Sequence, residues 1–309
     1  MLIAPCSVRA GGCFQHRDWH LYLVCVVIKT LSYFPLQTAL NSQPVISAAL
    51  DALRAKNITL KENSWNCDAA LIWSVLWNGR MAPNQSVYNH YRNQGKPVII
   101  FDVGLLHRER TWKVAVNNIN AEGFYGHKEN LDWYRPRTLG IKATAVTNQK
   151  EFILIAAQHA RSLQVQKLGR IEPWVHKQIA EIRQVTDRPI IVRPHPRSRL
   201  VLSNLPRDIV VQTPLPMANT YDNYDLDINC HAVVNYNSSP GVLAAMTGIR
   251  PVVDASSLAE SVSVSLDNIE KPYDIDRERW LVELCHTEYT IEEIKKGLWL
   301  KRIAPALTQ

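Results

Sequence analysis

Short apolar runs alternate with amphipathic stretches along most of this chain, and this alternation constrains its fold more than any other feature. Residues 69–77 (AALIWSVLW) and 96–102 (KPVIIFD) have the length and apolar character of buried strands. Between them, residues 86–94 (SVYNHYRNQ) have helical spacing and are followed by Gly95, a residue type that commonly ends helices. Strands that alternate with helices form parallel sheets covered on both faces. The sequence therefore predicts an α/β protein.

The alternation occurs in two blocks, separated by a polar and irregular stretch at residues 103–150. In the first block we predict strands at 21–28, 69–77 and 96–102 and helices at 44–56 and 86–94. In the second block we predict strands at 152–157, 188–193, 208–212, 231–235 and 250–254 and helices at 173–185, 241–247, 277–284 and 291–296. Thr290 and Glu293 have the spacing of a capping box at the start of the last helix.

The simplest architecture for these two blocks is a pair of Rossmann-like lobes that face each other across a cleft. Residues 1–145 would form the first lobe, with residues 1–18 as a loose extension. Residues 146–309 would form the second lobe together with the terminal helices.

Composition limits the classes to which the protein can belong. The 309 residues are 46% hydrophobic, which is enough for one large domain or two smaller ones. The longest apolar run, at residues 21–28, is too short to span a bilayer. None of the six cysteines forms a CxxC pair or a zinc-ligand cluster. We therefore expect a cytoplasmic protein with reduced thiols and no transmembrane segment. The net charge of +7 favours an anionic partner such as a nucleotide, a nucleic acid or an acidic membrane surface.

A stiff, basic segment follows the strand predicted at residues 188–193. It reads Arg193-Pro194-His195-Pro196-Arg197, and ligands of open α/β sheets bind beyond the carboxyl ends of strands. Guanidinium groups suit phosphate oxygens, and flanking prolines reduce the entropy lost when the loop becomes ordered. We predict that Arg193, His195 and Arg197 bind phosphate as a cationic loop. The alternative is a structural turn with surface arginines.

A second polar segment, NYNSSPG at residues 235–241, joins the strand predicted at 231–235 to the next helix. Small hydroxyl residues and N–H groups at a helix start bind anions at the positive end of the helix dipole, although they also serve as ordinary caps. We predict that Asn237, Ser238, Ser239 and Gly241 meet the first segment at one edge of the sheet. The two segments would share one diphosphate.

Together these segments resemble a known class of enzyme. The order R-x-H-P, N-x-S-S-x-G, a helix and G-x-x-P-V is similar to that of bacterial capsule, sialic-acid and Kdo glycosyltransferases of the GT-B type. The matching residues are His195, Pro196, Ser238, Ser239, Gly248, Pro251 and Val252. The resemblance implies that the His-Pro and Ser-Ser motifs bind the phosphates of a nucleotide-sugar donor. The wider stretch at residues 188–302 also resembles glycosyltransferase-like proteins of tailed phages.

Position in the sequence adds donor-side candidates. Gln158 and His159 follow the first strand of the second block, and Asp254 ends the strand at 250–254, where it can accept hydrogen bonds from ribose hydroxyls. A structural role is an equal alternative for each. An Asp-x-Asp pattern at residues 225–227 lies in a polar acidic stretch that we interpret as a surface turn. We therefore expect no metal ion. The expected co-substrate is a UDP-sugar, and no bound cofactor is expected.

Glycosyl transfer needs a base that takes the proton of the acceptor hydroxyl. We expect this base on the first lobe, and Asp102 is the first choice because it ends a predicted buried strand. His107 is the second choice and Glu122 the third, and capping of the next turn is the alternative role for Asp102. The expected reaction is a direct displacement in which the loop arginines and the Ser238 and Ser239 amides stabilise the leaving diphosphate. Inversion is implied by the family resemblance.

The stretch at residues 105–134 mixes cations with aromatic side chains. Its acceptor-binding candidates are Arg108, Arg110, Trp112, Lys113 and Tyr134. Such a surface suits hydroxymethylated bases in double-stranded phage DNA, and equally a polysaccharide or a lipid-linked sugar. A nucleotide-sugar epimerase and a non-catalytic nucleic-acid-binding protein are the alternatives from other functional classes. The sequence leaves the oligomeric state open.

Overall fold

The computed structural model describes residues 28–146, 151–216 and 228–308. Within these ranges the chain is a mixed α/β protein with two sheets that are rich in parallel strand pairs, so the predicted α/β class is confirmed. The predicted extension at 1–18 and the acidic pattern at 225–227 lie outside the described residues. So does the strand predicted at 21–28, except for Ile28.

Eleven strands and eight α-helices occur in the described part of the chain. The strands are β1 (Thr30–Tyr33), β2 (Thr59–Glu62), β3 (Ala69–Trp73), β4 (Val98–Val103), β5 (Thr111–Val116), β6 (Ile153–Ala156), β7 (Ile190–Arg193), β8 (Ile209–Val211), β9 (Ala232–Asn235), β10 (Arg250–Val253) and β11 (Glu288–Thr290). The helices are α1 (Gln43–Arg54), α2 (Asn84–Asn93), α3 (Arg135–Thr138), α4 (Ile171–Arg183), α5 (Ser239–Met246), α6 (Glu278–Cys285), α7 (Ile291–Lys295) and α8 (Leu298–Ile303).

The first sheet has the strand order β11-β5-β4-β3-β1-β2. Its strands β1 to β4 pair in parallel, whereas β5 runs antiparallel to both β4 and β11. All five residues of β3 are buried, as expected for a parallel strand covered on both faces. This continuous apolar character is the reason that β3 and β4 could be predicted from sequence.

The second sheet has the order β10-β9-β6-β7-β8, and all of its pairs are parallel. Helix α4 packs against it through Ile171, Val175, Ile179 and Ile182, which are buried. Their spacing of three and four residues places them on one face of the helix. Every strand and helix predicted between residues 152 and 254 has a counterpart here, within a few residues at its ends.

Strands β1, β2, β5 and β11 lie where no strand was predicted. β5 falls in the stretch at 103–150 that we interpreted as irregular. Its strand pattern is hard to recognise because Lys113 interrupts the apolar residues. Its pairing with β4 sets Val114 opposite Phe101 and Lys113 opposite Asp102. β11 has only three residues and pairs with β5. Short strands of this kind depend on tertiary pairing more than on local propensity.

The end of the chain packs on the first sheet, although we predicted its helices as part of the second lobe. Helix α7 lies against α1, and Trp299 of α8 is fully buried with its ring centroid 5.1 Å from that of Phe101. The predicted capping box of Thr290 and Glu293 is present at the start of α7. The domain boundary near residue 145 stays a prediction.

Backbone hydrogen bonds join a loop of the first sheet to a loop of the second. The Trp77 N–H donates to the carbonyl oxygen of Arg161 at 2.8 Å, and the Leu163 N–H donates to that of Val75 at 3.0 Å. One loop follows β3 and the other follows β6, so both leave the carboxyl ends of parallel strands. These bonds bring the carboxyl edges of the two sheets together.

Candidate functional site

A cavity of about 790 Å³ lies where the carboxyl edges of the two sheets meet. This volume is within the range of small-molecule sites, roughly 300–1,000 Å³, and parallel sheets bind ligands at this edge. We name its two sides by the sheet that supplies them. The first-sheet wall is Ser74, Asp102, Arg108, Trp112 and Lys113. The second-sheet wall is Gln158, His159, His195, Arg197, Asn237, Ser238 and Ser239.

Two histidines stand edge to face in the second-sheet wall. The ring centroids of His159 and His195 are 5.1 Å apart, with an interplanar angle of 80°. Nδ1 of His159 accepts from the Arg161 N–H at 3.1 Å, and Nδ1 of His195 accepts from the Arg197 N–H at 3.1 Å. Because Nδ1 accepts in both rings, the proton of each neutral imidazole is on Nε2.

Both histidines are neutral near pH 7. Burial, together with the neighbouring His159, Arg197 and Arg108, lowers the pKa of His195 to about 3. Burial, followed by the positive charge of Arg197, also lowers the pKa of His159. His195 is therefore a neutral N–H donor in the ligand-free protein, whereas we predicted a cationic loop. Arg197 carries the positive charge of the loop at the cavity.

Amide side chains brace the loop after β9. Gln158 Nε2 donates to Asn237 Oδ1 at 2.9 Å, and the Asn237 N–H donates to Gln158 Oε1 at 2.7 Å. Asn235 Nδ2 donates both to the Ala156 carbonyl oxygen at 2.8 Å and to Ser238 Oγ at 2.9 Å. These buried bonds fix the shape of the loop before any ligand binds.

Helix α5 begins at the cavity. Ser238 is its N-cap residue and Ser239 its first residue, and both line the cavity. The Ser238 side chain does not cap the helix, because its Oγ interacts with Asn235 instead. We predicted that the Ser238 and Ser239 amides bind phosphate, but the Ser238 N–H donates to Asn235 Oδ1 at 2.8 Å and Pro240 has no N–H. The Ser239 N–H and the helix dipole are what this end of the helix offers an anion. Gly241 packs α5 on the sheet, since a Cβ there would lie 2.6 Å from Val253 Cγ1.

Asp102 lies at the carboxyl end of β4 in the first-sheet wall. Its Oδ2 accepts from Ser74 Oγ at 3.1 Å, and its Oδ1 accepts from the Val103 N–H at 2.7 Å. Burial raises the pKa of Asp102, and the Val103 N–H, the Lys113 ammonium and the Ser74 hydroxyl oppose that rise. A carboxylate with a raised pKa at a cavity is suited to take a proton from a substrate.

The start of β5 completes the first-sheet wall. Because β5 is antiparallel to β4, its first residues lie at the edge where β4 ends. Lys113 is only 9% exposed, and Trp112 is partly buried beside it. Arg108 is exposed and also lines the cavity. Three of the five predicted acceptor-binding residues therefore line the cavity: Arg108, Trp112 and Lys113.

The second and third candidates for the base lie outside the cavity lining. His107 Nε2 is 2.6 Å from the carbonyl oxygen of Leu139. Glu122 is exposed and forms an ion pair with Lys167. Of the three candidates, Asp102 alone lines the cavity.

Two predicted donor-side residues, Arg193 and Asp254, lie outside the cavity lining. The buried Arg193 guanidinium donates to Gln212 Oε1 at 2.6 Å. Asp254 Oδ1 accepts from the Ser256 hydroxyl at 2.6 Å, and that hydroxyl oxygen accepts from Asn237 Nδ2 at 2.8 Å. Asp254 thus acts on the cavity through Asn237.

Arg110 and Tyr134, which we predicted to contact an acceptor, are exposed and lie outside the cavity lining. Other lining residues were missed from sequence, namely Ser74, Arg80, Glu109 and Gln164. Ser74 lies within the run predicted as a strand at 69–77. A single polar residue inside an apolar run was the signal that could have identified it.

No group of three or more His, Cys, Asp or Glu side chains is arranged to hold a metal ion among the described residues. Over residues 28–146, 151–216 and 228–308, no helix combines the length and hydropathy needed to cross a membrane.

No protein-family model matches this chain, and no curated protein matches its sequence. Among solved structures, it is similar to the β-Kdo 2,4 transferase of KpsC from Thermosulfurimonas dismutans, with 12% identity, a TM-score of 0.46, and coverage of 88% of this chain and 98% of that one. For the β-Kdo 2,7 transferase of the same KpsC, identity is 11%, the TM-score 0.42, and coverage 88% and 99%. For the glycosyltransferase SnogD from Streptomyces nogalater, identity is 10%, the TM-score 0.27, and coverage 89% and 99%. The function proposed for the cavity therefore rests on its own residues.

Proposed function

We propose that this protein is a glycosyltransferase that moves a sugar from a nucleotide-sugar donor to a hydroxyl acceptor, with two lobes in a GT-B-like arrangement. The observation that carries the proposal is the division of one cavity between two unlike walls. The second-sheet wall offers N–H donors, a helix N-terminus and Arg197, which suit phosphate oxygens. The first-sheet wall offers Asp102, which suits proton removal. A transfer between two substrates needs both.

The donor diphosphate is proposed to bind the second-sheet wall. His195 and the start of α5 line the same cavity, and Arg197 adds a positive charge there. These groups would stabilise the negative charge that develops on the leaving diphosphate. Because the second-sheet wall itself supplies positive potential, we propose a metal-independent reaction. The proposed donor is a UDP-sugar.

The reaction that fits this placement is a single displacement. Asp102 takes the proton of the acceptor hydroxyl while the oxygen bonds to the anomeric carbon and the bond from that carbon to the diphosphate breaks. In this proposal the base lies on the first-sheet wall and the leaving group binds the second-sheet wall. Attack from the side opposite the leaving group inverts the anomeric centre, which supports an inverting mechanism.

The acceptor is proposed to lie along Trp112, Lys113 and Arg108 in the first-sheet wall. An aromatic ring stacks on a base or a sugar ring, and the cations pair with phosphate. A hydroxymethylated base in duplex DNA offers these features, as does a phosphorylated polysaccharide or a lipid-linked sugar. The choice between them is left to the experiment.

A thermal-shift screen against UDP-, GDP-, CMP- and dTDP-sugars tests the donor site. A ligand at about 100 times its Kd stabilises the native state by about 2.7 kcal/mol. We expect one nucleotide class to raise the Tm of the wild type. His195→Ala should lose that shift, and Tyr134→Ala, whose side chain is exposed outside the lining, should keep it. No shift with any of the sugars would contradict the proposal.

The donor found in this way is then incubated with hydroxymethylated duplex DNA, a polysaccharide or a lipid-linked sugar. Labelled sugar on one acceptor identifies the substrate, and a gel shift at low salt tests DNA binding independently. Isomerisation of the donor without an acceptor would replace the proposal with an epimerase. Tight binding with no turnover on any acceptor would indicate a non-catalytic binding protein.

A further inference from the structure

Ser74 has a costly backbone conformation beside the proposed base. It directly follows β3 with a φ of 63°, in the left-handed region that glycine adopts most readily. A serine held there is strained, and strain of this kind clusters at functional sites. Ser74 is 5% exposed and lines the cavity. Glycine would relieve the strain, so the serine side chain needs a reason.

The Ser74 hydroxyl is oriented by two hydrogen bonds. The Leu76 N–H donates to Ser74 Oγ at 3.2 Å, which uses a lone pair of the oxygen. The hydroxyl proton is then directed to Asp102 Oδ2, at 3.1 Å. The Ser74 N–H donates to the carbonyl oxygen of Phe101 at 2.7 Å, one residue before Asp102. Backbone and side chain of Ser74 thus both act on the end of β4.

We propose that Ser74 is a positioning residue that holds the Asp102 carboxylate in the orientation needed to take a proton from the acceptor. The Val103 N–H already holds Oδ1 at 2.7 Å. With Ser74 on Oδ2, both carboxylate oxygens are held and rotation of the carboxylate is restricted. This inference rests on the proposed function, because Asp102 is a base only if transfer takes place.

Ser74 also influences the charge of Asp102. A hydroxyl that donates to a carboxylate favours its ionised form, so loss of the hydroxyl raises the pKa of Asp102 further above its ordinary value. Other charged and titratable groups line the cavity or are in electrostatic contact with Asp102, and a substitution of Ser74 does not remove any of them. They are Lys113, Tyr125, Arg80, Arg108, Glu109, His159, His195 and Arg197.

The test compares Ser74→Ala with Ser74→Gly. Both remove the hydroxyl, but alanine keeps the strained backbone and glycine relieves it. Each should lower turnover about tenfold through lost orientation and leave the donor KM unchanged. Each should move the acidic limb of the pH profile upward by about one unit, as expected for one lost hydrogen bond to a carboxylate. The glycine variant should be at least as stable as the alanine variant.

Two kinetic outcomes would overturn the proposal. If Ser74→Gly has the turnover and pH profile of the wild type, the hydroxyl is not needed. If Ser74→Ala lowers the residual turnover of Asp102→Asn by the same factor as that of the wild type, the two residues act independently. We expect no further loss in the Asp102→Asn background.

A measurement that needs no activity separates this inference from the proposed function. The Asp102 carboxyl can be titrated by carbon NMR of aspartate-labelled protein, with Asp102→Asn to assign its signal. Ser74→Gly should raise the pKa of Asp102, and an unchanged value would overturn the inference even if the wild type transfers sugar. A raised value in a protein that transfers no sugar would uphold the Ser74 contact while the proposed function fails.

Discussion

The two walls of the cavity are held in place in different ways. The second-sheet wall is braced by side chains of its own loops, as in the two reciprocal bonds between Gln158 and Asn237. The first-sheet wall is assembled from the end of β3, the end of β4 and the start of β5. Ser74 and Asp102 meet there across 28 positions of sequence. Both walls join segments that are distant in sequence, since Gln158 and Asn237 are 79 positions apart. The second-sheet wall is held by hydrogen bonds between loop side chains, whereas the first-sheet wall depends on the pairing of strands.

Glu288 shows that the last strand, β11, also supports the first-sheet wall. It is fully buried in β11, and its carboxylate accepts from the N–H groups of Leu105 and Leu106 at 2.7 and 3.0 Å. It also accepts from the Thr111 hydroxyl at 2.8 Å. The last strand therefore fixes the loop that follows Asp102. On the proposed function, we expect substitutions in the second-sheet wall to change donor binding, and substitution of Asp102 in the first-sheet wall to change the rate.

The largest expected effect tests the first-sheet wall. Asp102→Asn keeps the shape of the side chain but removes the base, so turnover should fall about 100-fold or more. Donor affinity should stay unchanged, because donor phosphates bind the other wall. Single-turnover kinetics and calorimetry with the donor measure the two quantities separately. Weakened donor binding with normal turnover would reverse the assignment of the walls.

A tenfold effect is expected from Arg197, one of the two arginines of the R-P-H-P-R segment. Arg197 lines the cavity, whereas the buried Arg193 donates to Gln212. Arg197→Met should weaken donor binding about tenfold, as for one lost hydrogen bond from a charged group, with little change in Tm. Arg193→Met should lower the Tm and leave donor affinity nearly unchanged. Equal losses of affinity in both variants would show that Arg193 also reaches the donor.

These arginines also show how much of the site could be predicted from sequence. Each polar loop at the second-sheet wall directly follows a strand that the apolar runs identify, so Gln158, His159 and His195 could be placed at one edge. It was harder to predict which residues of the R-P-H-P-R segment line the cavity. Arg193 is the last residue of β7 and lies buried on Gln212, whereas His195, two residues later, lines the cavity. Strand alternation would place residues two positions apart on the same face, so the difference arises because His195 follows the end of β7 and belongs to the loop.

The first-sheet wall was less predictable for a physical reason. The run at 69–77 stays apolar after β3 ends at Trp73, because Val75 and Trp77 are buried as loop residues. A strand prediction therefore runs straight through Ser74. β5 and its Lys113 depend on pairing with β4 rather than on local pattern. Asp102 was predictable because it stands at the end of a continuous apolar strand.

The smallest expected effect is a pH dependence of donor affinity that belongs to the second-sheet wall. The free protein holds His195 neutral, with a pKa of about 3. A bound diphosphate favours the protonated imidazole and raises that pKa. Binding should therefore take up protons between about pH 3 and the pKa of the complex, and donor affinity should rise as the pH falls through that range. Calorimetry in two buffers that differ in ionisation enthalpy measures this uptake directly.

The stability of the free protein should change with the opposite sign. The folded pKa of His195, about 3, lies below the ordinary value of 6.5, so the unfolded chain binds more protons between these values. Stability of the ligand-free protein should therefore fall as the pH drops below about 6.5. A nucleotide sugar is a suitable probe, because neither of its phosphates titrates near neutrality. His195→Ala should reduce both effects. Proton uptake that persists unchanged in this variant would move the effect to His159, whereas no uptake in the wild type would show that the phosphates bind away from the pair.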